Sequence, residues 1–144
     1  NIAALRSVPD FVTEKSLLDS LSSEEFNVLK DLPKDSGMLI SLAGPGKGAR
    51  FLLDSDEVTI GRESSSEIFL DDVTVSRKHC RILRSKSATG TIFEIEDLSS
   101  LNGTYVNAVS KVKTSLNHGD EVQVGKYRLT FFRPVIGQRT GEIH

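Results

Sequence analysis

TIGRESSSEIFLDDVTVSRKHCRI (59–82) and DLSSLNGTYVN (97–107) are the two stretches whose reading decides the fold. Three polar islands stand out in them: Gly61-Arg62, Ser76-Arg77-Lys78-His79, and Asn102-Gly103-Thr104 with Asn107. Each lies beside a short apolar run such as VTI, IFL, RIL or IFEI. Runs of this length and composition are strand-like, and polar, glycine-containing tips between strands are loops on a rigid scaffold, where binding groups are commonly placed.

If the tips gather at one end of a sandwich, two arginines, a serine hydroxyl and an asparagine amide converge. Glu63 is the one acid close enough in sequence to neutralise an arginine. A donor-rich set of this kind suits a phosphate dianion, held by charge-assisted and forked arginine hydrogen bonds.

The strand-like reading continues outward. Towards the N-terminus, MLISL (38–42), GPGKG (44–48) and ARFLL (49–53) read as two strands around a glycine-rich turn. Lys47 after glycines suggests a nucleotide cradle, but the P-loop spacing, the following Ser or Thr and the helix are missing, so a hairpin turn is expected. Further strands are expected at 58–60, 68–70, 80–84, 91–98, 104–106, 121–124 and 127–132, the last two joined by a two-residue turn at Gly125-Lys126. Many short strands with turn signals predict an all-β sandwich or barrel.

Residues 1–35 are different. They are rich in Ser, Asp, Glu and Lys and lack alternation. Leu17, Leu18, Leu21, Phe26 and Leu29 could stripe a short helix, and Ser22 with Glu25 has capping-box spacing. A short helix is marginal alone, so a flexible, partly helical leader is expected, bounded by Pro33 and Gly37. The organisation predicted is a tail (1–35), one β domain (36–134) and a disordered C-terminal tail (135–144).

Composition excludes several classes. A net charge of −2 among 144 residues argues against bulk nucleic-acid or anionic-membrane binding. No apolar run is long enough to span a membrane, and no secretory leader is apparent. The single Cys80 cannot form an internal disulfide, which fits a reducing cytoplasm. His79, His118 and His144 are scattered without ligand spacing, so neither a metal nor another cofactor is expected. Ser76 and His79 could suggest a nucleophile with its base, but no orienting third group or nucleophile-elbow motif accompanies them.

The order GR, SxxH, NGTxxN resembles the forkhead-associated (FHA) domain, a two-sheet β-sandwich that reads phosphothreonine. The resemblance implies that Arg62 and Ser76 contact the phosphate, with Arg77 adding charge or gripping the peptide and Asn102 holding its main chain. Gly61, Gly103, Thr104 and Asn107 would support the loops or the peptide, Lys78 would be peripheral, and His79 would be architectural. Ser100 would stand in for the hydroxyl residue that many FHA domains carry where this chain has Leu101. A small apolar pocket would receive the threonine methyl, worth about 1 kcal/mol.

GPGKGARFLLD, EIFLDDVTVSRKH, SLNGTYVN and GDEVQVGKYRLTFF further resemble small actinobacterial FHA regulators of 2-oxoglutarate and glutamate metabolism. That resemblance implies a largely monomeric, non-enzymatic regulator. Unphosphorylated, it would inhibit the E1 component of 2-oxoglutarate dehydrogenase and act on glutamate-metabolising enzymes. A Ser/Thr kinase would phosphorylate a tail threonine, and the tail would then fold back onto its own FHA site. The expected acceptor is Thr13, the one threonine in residues 1–35. An acceptor upstream of Asn1, or absence of the step, are the alternatives, because the adjacent threonines usual in such tails are missing. Cys80 and Arg81 also depart from that family's usual residues. The alternative function is a generic phosphothreonine-peptide adaptor in kinase signalling.

Overall fold

The computed structural model describes residues 21–134. The tail threonine Thr13 and the expected C-terminal tail lie outside the described residues. Among these residues eleven strands follow one helix, α1 (Ser23–Lys30): β1 (Gly37–Ile40), β2 (Arg50–Leu53), β3 (Glu57–Gly61), β4 (Ile68–Phe69), β5 (Cys80–Ser87), β6 (Gly90–Asp97), β7 (Thr104–Val106), β8 (Val109–Ser110), β9 (Lys113–Leu116), β10 (Glu121–Val124) and β11 (Tyr127–Phe132). They form a six-stranded sheet, β2-β1-β11-β10-β7-β8, and a five-stranded sheet, β4-β3-β5-β6-β9.

The alternation read from sequence points one residue set inward from each sheet. Leu39, Leu53, Val122, Val124, Leu129 and Phe131 from the first sheet meet Val58, Ile60, Ile82, Phe93 and Ile95 from the second in one buried cluster. Phe93 and Phe131 pack as a tilted ring pair with centroids 5.2 Å apart, a favoured aromatic geometry. The expected strands are present, and β8 and β9 are additional. Gly125 opens the β10–β11 turn at φ +59°, with Val124 paired to Tyr127.

Register fixes which loops share an end. Ile40 lies opposite Thr130 and Arg50, so the β1–β2 loop lies beside the start of β11. The start of β11 adjoins the β10–β11 turn, and Val124 pairs with Thr104 at the start of β7. In the second sheet Ile60 pairs with Cys80 and Cys80 with Asp97. The end of β3, the start of β5 and the end of β6 therefore coincide. Gly125 lies against Thr74, and Lys126 N–H donates to Thr74 Oγ1 at 2.9 Å, which closes the two sheets into one loop-bearing end.

The part of the expected flexible leader that falls within the described residues is packed. Ser22 caps α1 reciprocally: its Oγ accepts from Glu25 N–H and Glu25 Oε1 accepts from Ser22 N–H. Leu29 and Leu32 are buried with Met38, Ile40 and Phe132 in a second cluster. These sheet residues alternate with Leu39 and Phe131, so α1 covers the outer face of the first sheet. Covering this face stabilises more than the helix itself does, since a buried leucine contributes about 2 kcal/mol and an eight-residue helix is marginal alone.

Candidate functional site

The loop-bearing end is built around a close approach. The segment after β4 runs back past the end of β3: Arg62 N–H donates to Ser76 O at 2.9 Å, Glu63 N–H to Arg77 O at 3.2 Å and His79 N–H to Ile60 O at 3.0 Å. Gly61 lies under this segment, and a Cβ there would sit 1.9 Å from the Arg77 carbonyl oxygen. A glycine is the residue that lets the Ser76-Arg77 backbone come in beside Arg62.

His79 ties three loops together from inside. It is fully buried. Its Nδ1 accepts Ser76 N–H at 3.0 Å, so Nε2 carries the proton and donates to Gly103 O at 2.9 Å. Its carbonyl accepts Leu98 N–H at 2.9 Å. Both ring nitrogens are committed to backbone, and Ser76 Oγ accepts Leu101 N–H at 2.9 Å. The pair is thus wired as a loop brace, not as a nucleophile with its base. Replacing His79 with alanine should cost about 2–4 kcal/mol through two lost hydrogen bonds and a cavity. Thermal unfolding reads this loss, and Arg62→Ala, at an exposed position with one hydrogen bond to the fold, should lower the melting temperature far less.

Asp97 is a residue that sequence reading passed over. Its carboxylate accepts from the hydroxyls of Ser100 and Thr104 and from Ser100 N–H. Burial works to raise its pKa, yet the Ser100 and Thr104 hydrogen bonds prevail and hold it below the usual value. Ser100 Oγ also accepts Gly103 N–H at 2.9 Å. Its hydroxyl hydrogen bond goes to Asp97, so Ser100 shapes the loop in this structure. Ser99 at φ +61° and Gly103 at φ +85° bend the same loop.

The remaining residues separate cleanly. Arg62 Nε donates to Val75 O at 2.9 Å, and its terminal nitrogens have no hydrogen-bond partner among the described residues. Asn102 Nδ2 donates to Thr74 O at 3.1 Å. Arg62, Ser76 and Asn102 thus come together over the 74–76 backbone, with Arg77 exposed on the same segment. Lys78 is exposed next to it. Thr104 is buried under Asp97. Asn107 sits apart, in the β7–β8 turn. It and Ala108 both have positive φ, +51° and +70°, as a two-residue I′ turn requires. Its amide is used on both sides, to Asp120 Oδ1 and from Glu121 N–H, each at 3.0 Å. Cys80 is fully buried, and burial pushes its thiol up to about 12, which removes it as a nucleophile.

A groove of about 530 Å³ opens beside Asn102, lined by Thr74, Tyr105, Gln123 and Lys126 among others. Its Thr74 wall is held by Asp72, which accepts Thr74 N–H at 2.8 Å and pairs with Lys126 Nζ at 2.8 Å. Lys126 and then Thr74 bring the Asp72 carboxyl down to about 2. A carboxyl depressed on folding contributes stability above its unfolded value near 4 and loses it as pH falls towards 2. Asp72→Asn should flatten the decline of melting temperature across that window, and an unchanged acid slope would rule the contact out as its source.

The FHA domain model matches residues 58–125. The oxoglutarate dehydrogenase inhibitor of Corynebacterium jeikeium is 48% identical over 103 residues, covering 72% of this chain and 69% of that protein. The glycogen accumulation regulator GarA of Mycobacterium tuberculosis is 40% identical over 134 residues, covering 92% and 78%. A structure from a structural and functional analysis of phosphothreonine-dependent FHA domain interactions superposes with a TM-score of 0.59 at 28% identity, covering 67% of this chain and 95% of the other. The shared sandwich and the sequence identity agree: the chain belongs to the FHA domain family, in the group of the actinobacterial oxoglutarate dehydrogenase inhibitors and GarA proteins.

Proposed function

We propose that this protein is a phosphothreonine-binding FHA regulator of 2-oxoglutarate metabolism. Unphosphorylated, it binds and inhibits the E1 component of 2-oxoglutarate dehydrogenase. A Ser/Thr kinase phosphorylates the N-terminal tail, with Thr13 the acceptor, and the phosphothreonine closes onto the chain's own FHA site and releases the enzyme. Glutamate-metabolising enzymes are further targets. The protein acts as a cytoplasmic monomer, without catalytic activity or cofactor of its own.

The convergence of Arg62, Ser76 and Asn102 over one strip of backbone carries this reading. The Arg62 terminal nitrogens present a planar fork of donors, suited to two phosphate oxygens at once. The Ser76 hydroxyl accepts from Leu101 N–H and keeps its own proton for a third oxygen. Arg77 adds charge. The Asn102 amide is placed to hold a peptide main chain, and the groove beside it receives the residues that follow. The name of the 48% identical relative, an oxoglutarate dehydrogenase inhibitor, supports this target, and the described residues contain no helix long and apolar enough to cross a membrane.

An assay of 2-oxoglutarate dehydrogenase with added protein, before and after kinase treatment, tests the proposal. Inhibition that phosphorylation abolishes is the expected result. Inhibition that phosphorylation leaves intact would retain the target and remove the switch. No inhibition in either state would move the function to a phosphothreonine adaptor with other partners.

A further inference from the structure

The tail's point of departure is set by α1, and the strand register shows where that point is. Leu21 and Leu42, the latter just past the end of β1, both pack against the cluster on the outer face of the first sheet. Glu24 pairs with Arg50, the first residue of β2, at 3.6 Å. Arg50 lies opposite Ile40, and the loop between them reaches Tyr127 through Gly46. Tyr127 follows the Gly125-Lys126 turn that touches Thr74. The first turn of α1 therefore lies at the end of the sandwich that carries Arg62, Ser76 and Asn102.

The other end of the same segment is fastened far away. Asp35 accepts Lys86 Nζ at 2.9 Å and Thr91 Oγ1 at 2.7 Å, and its carbonyl accepts Arg84 Nη1 at 2.8 Å. Lys86 and Thr91 pair beside the β5–β6 turn, at the ends of these strands away from Cys80 and Asp97. From residue 21 to residue 35 the chain thus runs the length of the first sheet, from the recognition end to the far end, before β1 returns.

We infer that α1 is the positioning element of the self-closing switch: docked through Leu29 and Leu32, it releases the tail at the recognition end of its own domain. The inference rests on the self-closure proposed above and adds what makes that closure efficient. With α1 docked, about eight residues separate Leu21 from Thr13. That span reaches roughly 27 Å extended and about 17 Å as a flexible coil. With α1 undocked, the tether starts at Asp35, at the far end, and is about 22 residues long. Effective concentration falls roughly as the −3/2 power of linker length, so length alone weakens closure about fivefold, and starting at the wrong end weakens it further. The docking contacts are intramolecular, so α1 favours closure in cis over exchange of tails between two copies.

The test uses the full chain carrying phosphate at Thr13, prepared by ligation of a phosphorylated N-terminal peptide. A labelled phosphothreonine peptide of the 8–18 sequence is titrated against the phosphorylated and unphosphorylated forms, and the ratio of the two apparent affinities measures closure. Leu29→Asp should leave the unphosphorylated form's affinity unchanged, which also shows the fold and site to be intact, while reducing the closure ratio about fivefold or more. A second variant keeps α1 docked and inserts sixteen Gly/Ser residues after Ser20. It should lower the ratio to a similar degree, and it serves if Leu29→Asp does not fold. An unchanged ratio in either folded variant would overturn the role of α1 and leave self-closure standing. A ratio of one in the parent chain would overturn self-closure itself, and the positioning role with it.

Discussion

Gly61→Ala should destabilise the domain by about 3 kcal/mol or more, lowering the melting temperature by roughly 10–15 °C. The cause is local. The added Cβ would lie 1.9 Å from the Arg77 carbonyl oxygen and 2.8 Å from its carbon, and backbone cannot swing aside as a side chain can. The Ser76-Arg77 segment must retreat. That retreat breaks the hydrogen bonds from Arg62 N–H and Glu63 N–H, and it pulls Ser76 N–H away from His79. The burial side adds to the cost, because Ile60, next to Gly61 in β3, belongs to the main cluster. The same substitution at Gly44 provides the control. Gly44 has positive φ, but a Cβ there meets nothing within 4 Å, so the cost is confined to conformational preference, about 1 kcal/mol. Thermal unfolding of both variants checks the comparison. Equal losses would mean that the close approach at Gly61 is unimportant.

The contrast between those glycines marks how far sequence carries. Strands β1–β7, β10 and β11 were legible because apolar residues alternate along them or run continuously. β8 has no buried residue and β9 one, so neither leaves a hydrophobic pattern. The capping box of α1 was legible, but its docking was not read: one residue of the helix, Leu29, is buried. A signal existed elsewhere. MLI and LTFF are apolar on both faces, and every residue of β1 and the last four of β11 are buried. A strand buried on both faces needs a cover on the outer one, and among the described residues the segment 21–32, with Leu21, Leu29 and Leu32, supplies apolar residues for it.

At the site, residue types announced the chemistry and spacing gave the loops. Which hydroxyls are free was decided by geometry. Ser76 and Ser100 look equivalent in sequence, each near an island. Ser100 donates its hydroxyl hydrogen bond to Asp97, whereas Ser76 accepts from Leu101 N–H and keeps its own donor. Asn102 and Asn107 likewise look like a pair, but the positive φ of Asn107 makes it a turn residue whose amide is consumed by the 117–121 corner. Thr74 and Asp72 had no signal at all, since their roles depend on Lys126 and the β10–β11 turn arriving from the other sheet.

Arg62→Ala should weaken phosphothreonine-peptide binding by roughly 100-fold or more, with little change in stability. The arginine side chain is exposed, and it gives the fold one hydrogen bond, from Nε to Val75 O, worth about 1 kcal/mol. Its terminal nitrogens are what the phosphate would meet. Two charge-assisted hydrogen bonds contribute about 3 kcal/mol together, which is two decades in affinity. Arg62→Lys separates charge from geometry. Lysine keeps the positive charge but offers a point donor in place of a fork, so an intermediate loss is expected. Ser76→Ala removes one neutral donor and the acceptor for Leu101 N–H, and should cost about tenfold. Isothermal titration with a phosphothreonine peptide and its unphosphorylated counterpart measures all three. The order Arg62→Ala, then Arg62→Lys, then wild type is the diagnostic outcome. Normal binding by Arg62→Ala would place the phosphate elsewhere on the loop end. A lysine variant as tight as wild type would show that charge, and not the fork, does the work.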